Sequence, residues 1–325
     1  MIPSEWLQAA QKRVQAFIRS TPLTYDPSQE LYLKWENRQV TGSFKARGAL
    51  NKVLTLEKWE QEKGLVAASA GNHGQGVALA GKFVAAPVII FVPENAPPTK
   101  IEAIRALGAE VRLVAGGYGD TETAGLAYAS QAQATWVSPY NDGQVIAGQG
   151  TLGLETLEQL KQLQLQQPLY PTPSTWIVPT SGGGLLAGVG TAIKAKNTQH
   201  EQASRHLVGV QSEASPFMHD LFYSGTQDQA VELPSLADGL AGRVEENSVT
   251  IPLVKKLADE IVLVNEDEIA EAVAYSWNKY GEVIEGSAAT ALAAALSGKI
   301  SIRPALVVLS GGNIQPEIHA DIISR

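Results

Sequence analysis

A lysine stands behind an aromatic residue and in front of a helix-like run in Thr41-Gly42-Ser43-Phe44-Lys45-Ala46-Arg47-Gly48-Ala49. A lysine amine whose surroundings lower its pKa becomes a nucleophile toward carbonyls and can hold a cofactor as a Schiff base. Three glycine-rich segments supply what a phosphorylated aldehyde needs. Ser69-Ala70-Gly71-Asn72-His73-Gly74-Gln75-Gly76 follows the apolar run Leu65–Ala68 and leads into helix-like residues 77–80. Such a strand, turn and helix N-terminus points backbone N–H groups outward in a positive field, which suits a carboxylate or a phosphate. Thr180-Ser181-Gly182-Gly183-Gly184 repeats the arrangement after Trp176-Ile177-Val178, and consecutive glycines let the backbone approach an anion closely. Ser310-Gly311-Gly312-Asn313 ends the apolar run Leu306-Val307-Val308-Leu309, at the strand edge where ligands of parallel sheets collect. A single glycine turn is equally well explained by a tight connection. Three of them with a lysine point to a phosphate-bearing carbonyl cofactor, and pyridoxal phosphate is the one that many lysines hold in this way. No turn reads as either nucleotide-binding template.

The elements that must position these residues alternate between two kinds. Apolar runs at 88–92, 111–114, 261–264 and 305–309 are separated by helix-like stretches, so a parallel α/β architecture is expected. A chain of 325 residues has room for about two domains with ample core. No run is long enough to span a bilayer, and Glu5, Lys12, Arg13 and Arg19 interrupt any signal-like core at the start, which predicts a cytoplasmic protein without a membrane partner. The absence of cysteine excludes disulfides and iron–sulfur chemistry. A net charge of −8 disfavours nucleic acid as a partner. Residues 161–175 read as a helix end and a surface loop, and 288–296 as a packing helix.

On these residues the chain resembles the fold type II pyridoxal-phosphate enzymes, specifically the threonine/serine dehydratase and serine racemase family. The matching segments are 41–51, 69–80, 93–100, 108–111, 145–153, 179–188, 285–295 and 310–313, in family order through nearly the whole chain. The resemblance implies a two-domain, tryptophan synthase β-like fold of parallel sheets flanked by helices. A large cofactor domain would comprise 1–52 and 142–325, with a small domain at 53–141 and the site between them. It implies that Lys45 carries pyridoxal phosphate and removes the substrate Cα proton. Phe44 would pack on the ring and Asn72 would bind the ring hydroxyl. Ser69, Ala70, Gly71, Asn72 and His73 would bind the substrate carboxylate. Ser181, Gly182, Gly183 and Gly184 would hold the phosphate, with Ser181 in place of the usual first glycine. Ser310 would face the pyridine nitrogen, and a neutral hydroxyl there favours expulsion of a β-leaving group over a long-lived carbanion. The implied reaction is dehydration of L-threonine or L-serine to a 2-oxo acid and ammonia, by a homodimer.

Several assignments stay open at this level. Family racemases carry a serine after Ser69, whereas this chain has Ala70, whose methyl group cannot transfer a proton. Racemisation and dehydration of threo-3-hydroxyaspartate remain the alternatives, the latter requiring a cationic partner that the sequence does not identify. A β-replacement synthase and a regulatory protein that binds the cofactor without turnover are further readings. At the family's divalent-cation segment, Gln211 and Pro216 or Phe217 stand where carboxylates are expected, so no metal is predicted, with Glu213 as a possible surface substitute. Glu285, at the head of Glu285-Gly286-Ser287-Ala288-Ala289, fits either a cofactor contact or a helix N-terminal charge. Asp238-Gly239 resembles a loop beside the ring, Arg47 an ion-pair residue, and His73 a structural donor. His200, His206, His219 and His319 lack metal-ligand spacing and are expected at the surface or hydrogen-bonded. Nothing resembling the amino-acid-binding regulatory domain of biosynthetic threonine dehydratases follows Arg325, so insensitivity to isoleucine is expected.

Overall fold

The computed structural model describes residues 1–195 and 205–325, which form two sheets. The larger sheet contains β1 (Leu23–Asp26) and β2 (Leu31–Trp35). The smaller one consists of β3 (Leu65–Ala68), β4 (Val88–Pro93), β5 (Glu110–Val114) and β6 (Thr135–Trp136). The larger is completed by β7 (Thr175–Pro179), β8 (His206–Ser212), β9 (Glu260–Val264) and β10 (Ala305–Leu309). Strand order is β1-β2-β10-β7-β8-β9 in one sheet and β5-β4-β3-β6 in the other. All pairings are parallel except β1 with β2, which run antiparallel.

The continuous apolar runs have a physical reason. Strands covered by helices on both faces must be apolar on both faces. Trp176 and Val178 of β7 enter a core with Leu306 and Val308, while Ile177 enters the opposite core with Val307 and Leu309. The helix Gly184–Ile193 covers the first face, and Gly286–Leu296 covers the second. The antiparallel edge departs from the all-parallel expectation. Its cause is the short connection at 27–30, where Asp26 Oδ1 accepts from the Ser28 N–H at 2.9 Å and its hydroxyl at 2.7 Å, an Asx-type turn that reverses the chain where a crossover has no room.

Two helices lie where the sheets meet. Lys45–Leu54 buries Ala46, Ala49, Leu50 and Val53 in the core of the smaller sheet. Gly143–Gln166 crosses it closely, capped by Asp142, whose Oδ1 accepts from the Gln144 and Val145 N–H groups at 2.7 and 3.0 Å. The crossing requires bare backbone, because a Cβ on Gly148 would lie 2.7 Å from the Gly48 Cα.

A buried ionic cluster ties the same helices to β2. Arg47 Nε donates to Glu36 Oε2 at 2.7 Å, and its Nη2 donates to Glu36 Oε1 at 2.8 Å and to Glu155 Oε2 at 3.1 Å. Lys34 Nζ donates to Glu155 Oε1 at 2.5 Å and to the Thr21 carbonyl at 2.8 Å. Arg47 is thus an ion-pair residue, buried in the interior.

Candidate active site

Lys45 opens its helix, and the loop before it is fixed to the end of β10. The Phe44 N–H donates to the Ser310 carbonyl at 3.0 Å, and the Gly312 N–H donates to the Gly42 carbonyl at 2.9 Å. Lys45 Nζ donates to the Pro139 carbonyl at 3.0 Å and lies 5.3 Å from the centroid of the Phe44 ring. Burial lowers its amine to about 8, against the pull of the Glu285 carboxylate. At neutral pH about a tenth of such amines are uncharged, a far larger share than for a solvated lysine.

The turn after β3 leads into a helix that packs on Lys45, since a Cβ on Gly76 would lie 3.1 Å from the Lys45 carbonyl oxygen. Ser69 Oγ accepts from the Gly71 N–H at 3.1 Å and so orders the loop through Ala70, whose methyl group packs at the edge of the smaller sheet's core. Asn72 begins the helix Asn72–Val84 and donates from Nδ2 to Glu285 Oε1 at 2.7 Å. Burial, reinforced by Asp238, pushes the Glu285 carboxyl up to about 7. Glu285 makes no side-chain cap to the helix that follows it, so its hydrogen bond goes to Asn72 instead of the helix N-terminus. The His73 ring is within 2.7 Å of the Val137 carbonyl, to which Nε2–H must donate, since a carbonyl can only accept. Burial and the nearby Lys45 hold the ring at about 3, so it is neutral and structural.

The second glycine turn precedes the helix Gly184–Ile193, whose N-terminus has no side-chain cap. Gly183 has φ +83°, and a Cβ on Gly182 would lie 2.5 Å from the Tyr140 ring. The backbone N–H groups here are therefore both uncapped and stripped of side chains, which is what a phosphate requires. Ser181 is partly exposed beside them. The Tyr140 hydroxyl accepts from the Glu245 N–H at 3.0 Å.

Gly239 lies in a short turn, Asp238–Leu240, where its N–H donates to Ser287 Oγ at 3.0 Å. Asp238 Oδ2 accepts from Lys100 Nζ at 2.5 Å, a contact from the loop beside Glu285 to the helix Pro98–Arg105 over the smaller sheet. Lys100, Asp238, Glu285, Asn313 and Gln315 line a cavity of about 350 Å³. Ser310 is buried at the end of β10.

Lys45, Phe44, Asn72, Glu285, Gly239 and Ser310 thus converge where the sheets meet, with the 181–184 turn joined to them through Tyr140 and Pro139. Sequence reasoning missed Lys100, Pro139 and Tyr140, because no local spacing marks a contact made across the cleft. Gln211 Oε1 accepts from the His219 N–H at 2.7 Å, and Glu213 points outward, 3.9 Å from Lys299 Nζ. Among the described residues no group of three or more metal-ligating side chains occurs. His206 meets Glu260 and His219 meets Asp220, each at 2.9 Å. His319 departs from expectation, because it is buried against Trp277 with Nε2 unpaired among the described residues. His200 lies outside the described residues.

A family model described as "Pyridoxal-phosphate dependent enzyme" matches residues 14–311. The chain belongs to that family. It is 39% identical to an L-threonine ammonia-lyase from Thermotoga maritima, over 100% of this chain and 79% of that one. It is 38% identical to an L-threonine dehydratase catabolic TdcB from Staphylococcus aureus, over 95% of this chain and 88% of that one. Among solved structures, maize serine racemase superimposes with a TM-score of 0.85 at 29% identity, covering 98% of this chain and 96% of that one. The T.th. threonine deaminase superimposes with a TM-score of 0.84 at 34% identity, covering 96% of this chain and 98% of that one. The fold is accordingly that of the fold type II enzymes, and the cofactor is pyridoxal phosphate. The residues fit it: an amine of lowered basicity, an uncapped glycine turn at a helix N-terminus, and an asparagine amide with one N–H to spare among the described residues.

Proposed function

We propose that the chain is an L-threonine ammonia-lyase, with L-serine as a second substrate, releasing a 2-oxo acid and ammonia. The observation that carries this reading is the Lys45 amine, made less basic by burial and flanked by an uncapped glycine turn and the 69–73 loop. Similarity to the L-threonine ammonia-lyase and L-threonine dehydratase named above supports it.

Pyridoxal phosphate, when bound, supplies the sink for the electron pair left at the substrate Cα. The protein's part is positioning and proton transfer. Lys45 Nζ would hold the cofactor through its aldehyde, and the same amine, when free, would be the base that takes the substrate Cα proton. Phe44 supplies a flat apolar neighbour to the ring, and the 181–184 N–H groups bind the phosphate. Asn72 donates to the ring hydroxyl, with Glu285 fixing its other N–H and Gly239 lying in the loop alongside. Ser69, Ala70, Gly71, Asn72 and His73 bind the substrate carboxylate. Ser310 would offer the ring nitrogen a hydroxyl and no counter-charge, which favours loss of the β-hydroxyl, departing as water with a proton that balances the one taken from Cα. Ala70 supplies no proton to the opposite face, which supports elimination over racemisation. The pairing of Lys100 with Asp238 supports substrates with neutral side chains over 3-hydroxyaspartate.

The proposal also includes a small domain at 53–141 set into a large one at 1–52 and 142–325. Every strand of the smaller sheet falls in the first range and every strand of the larger in the second. Homodimeric assembly and a cytoplasmic location complete the reading, testable by light scattering and cell fractionation. The deciding experiment mixes purified holoenzyme with L-threonine and measures 2-oxo acid release, beside Lys45→Ala. The parent should show a visible cofactor band and turnover, both absent from the variant. A parent that binds the cofactor yet releases no 2-oxo acid from threonine or serine would sink the proposal.

A further inference from the structure

We infer that Asn313 is a positioning residue that sets which edge of the Asn72 amide is offered to the cofactor. The inference rests on the reading above, in which Asn72 meets the ring hydroxyl. Asn313 Nδ2 donates to the Thr41 carbonyl at 2.8 Å and to Asn72 Oδ1 at 2.6 Å. Amide nitrogen and oxygen are normally told apart only by their partners. Here the partner decides, because a backbone carbonyl can only accept, so the atom facing Thr41 must be nitrogen. The second N–H of Asn313 then needs an acceptor, and Asn72 must turn Oδ1 toward it. That turn sends Asn72 Nδ2 to Glu285 Oε1 at 2.7 Å and leaves one of its N–H groups without a hydrogen-bond partner among the described residues. Polarity passes in one direction from the Thr41 carbonyl through Asn313 and Asn72 to the Glu285 carboxylate.

The backbone is built around this side chain. Gly42 has φ +70°, and a Cβ there would come within 2.5 Å of Asn313 Oδ1. The neighbouring Gly312 N–H bond to the Gly42 carbonyl, at 2.9 Å, keeps Asn313 opposite Thr41. With Asn72 reversed, a carbonyl oxygen would stand where the donor is needed and would repel the ring oxygen. Asn313 itself need not touch the ring for this to hold.

Asn313→Asp tests the inference on the holoenzyme. The aspartate is isosteric but has no donor, so Asn72 must turn over to donate to it. The visible band of the lysine-bound cofactor should weaken relative to its near-ultraviolet band, the pH dependence of that ratio should move, and the cofactor Kd should rise roughly threefold to tenfold. Asn313→Asp with Glu285→Gln gives the reversed Asn72 a donor to face, and should recover thermal stability without recovering the band ratio. A purely structural role predicts that both recover together. The inference is overturned if the single variant keeps the parent's spectrum and pH profile, or if the double variant regains both properties. Should Asn313→Asp fail to fold, Asn313→Ser keeps one donor and should show an intermediate ratio, a parent ratio again overturning the idea. A parent without a Lys45-dependent visible band would instead refute the reading of the site, whatever Asn313 does.

Discussion

Replacing Glu36 by glutamine would remove one of two carboxylates that hold a completely buried arginine. Arg47 and Glu36 both have side chains at 0% exposure, joined by two parallel hydrogen bonds of 2.7 and 2.8 Å. After the change the one carboxylate left on Arg47 is Glu155, at 3.1 Å, beside the Thr151 hydroxyl at 3.3 Å, and that carboxylate also serves Lys34 at 2.5 Å. Removing one partner of a buried pair costs about 3–5 kcal/mol, and the surviving carboxylate places this case near the low end, at about 3 kcal/mol. For a chain of 325 residues, an unfolding entropy of about 2 cal/mol/K per residue converts that cost into a melting point roughly 4–5 °C lower. Burial works against the charge of Glu36, but the Arg47 guanidinium outweighs it and holds the carboxyl below its ordinary value. A depressed carboxylate stabilises fully above its unfolded pKa and loses that contribution as pH falls through the folded one. The gap between parent and variant should therefore narrow below about pH 4. Thermal denaturation of the holoenzymes followed by circular dichroism measures it. Glu102→Gln is the control, because its pairing with Arg105 is 67% and 47% exposed and should shift the midpoint by less than about 1 °C. If Glu36→Gln melts within about 1 °C of the parent, the buried network does not do what its geometry requires.

Three further outcomes are expected. Because burial brings the Lys45 amine to about 8, capture of pyridoxal phosphate by apoprotein should speed up about tenfold per pH unit below that value and level off above it; stopped-flow absorbance would show this, and a rate still climbing through pH 10 would contradict it. Gly182→Ala would drive a methyl group to within 2.5 Å of the Tyr140 ring, so the cofactor Kd by fluorescence titration should rise at least about tenfold with the fold retained. Asp238→Asn releases Lys100 from its 2.5 Å pairing, and the kcat/KM for threo-3-hydroxyaspartate relative to L-threonine should rise, since the freed ammonium can meet the extra carboxylate; an unchanged ratio removes Lys100 from any role in substrate choice.

The segments of the site were legible where the chemistry is local. A strand, a glycine turn and a helix start are written in consecutive residues at 65–80 and again at 175–193, so residue type alone carries the signal. What escaped were partners distant in sequence. Lys34 and Glu155 are 121 positions apart, Asn72 and Asn313 are 241, and Lys100 and Asp238 are 138. No periodicity encodes such pairs, because each member is an ordinary polar residue until the fold supplies the other. The antiparallel β1 was hidden for a different reason. Its four residues, with only the last buried, are too few and too exposed to stand out from a loop.

The chain from Val137 to Tyr140 serves as a common gauge for the whole site. Val137 takes the His73 hydrogen bond, Pro139 takes that of the Lys45 amine, and the Tyr140 ring bears on Gly182. Four consecutive residues therefore set the heights of the 69–73 loop, the Lys45 amine and the 181–184 turn against one another. Redesign of this scaffold for new substrates has no freedom here, because an inserted or deleted residue would misalign the 69–73 loop, Lys45 and the 181–184 turn at once.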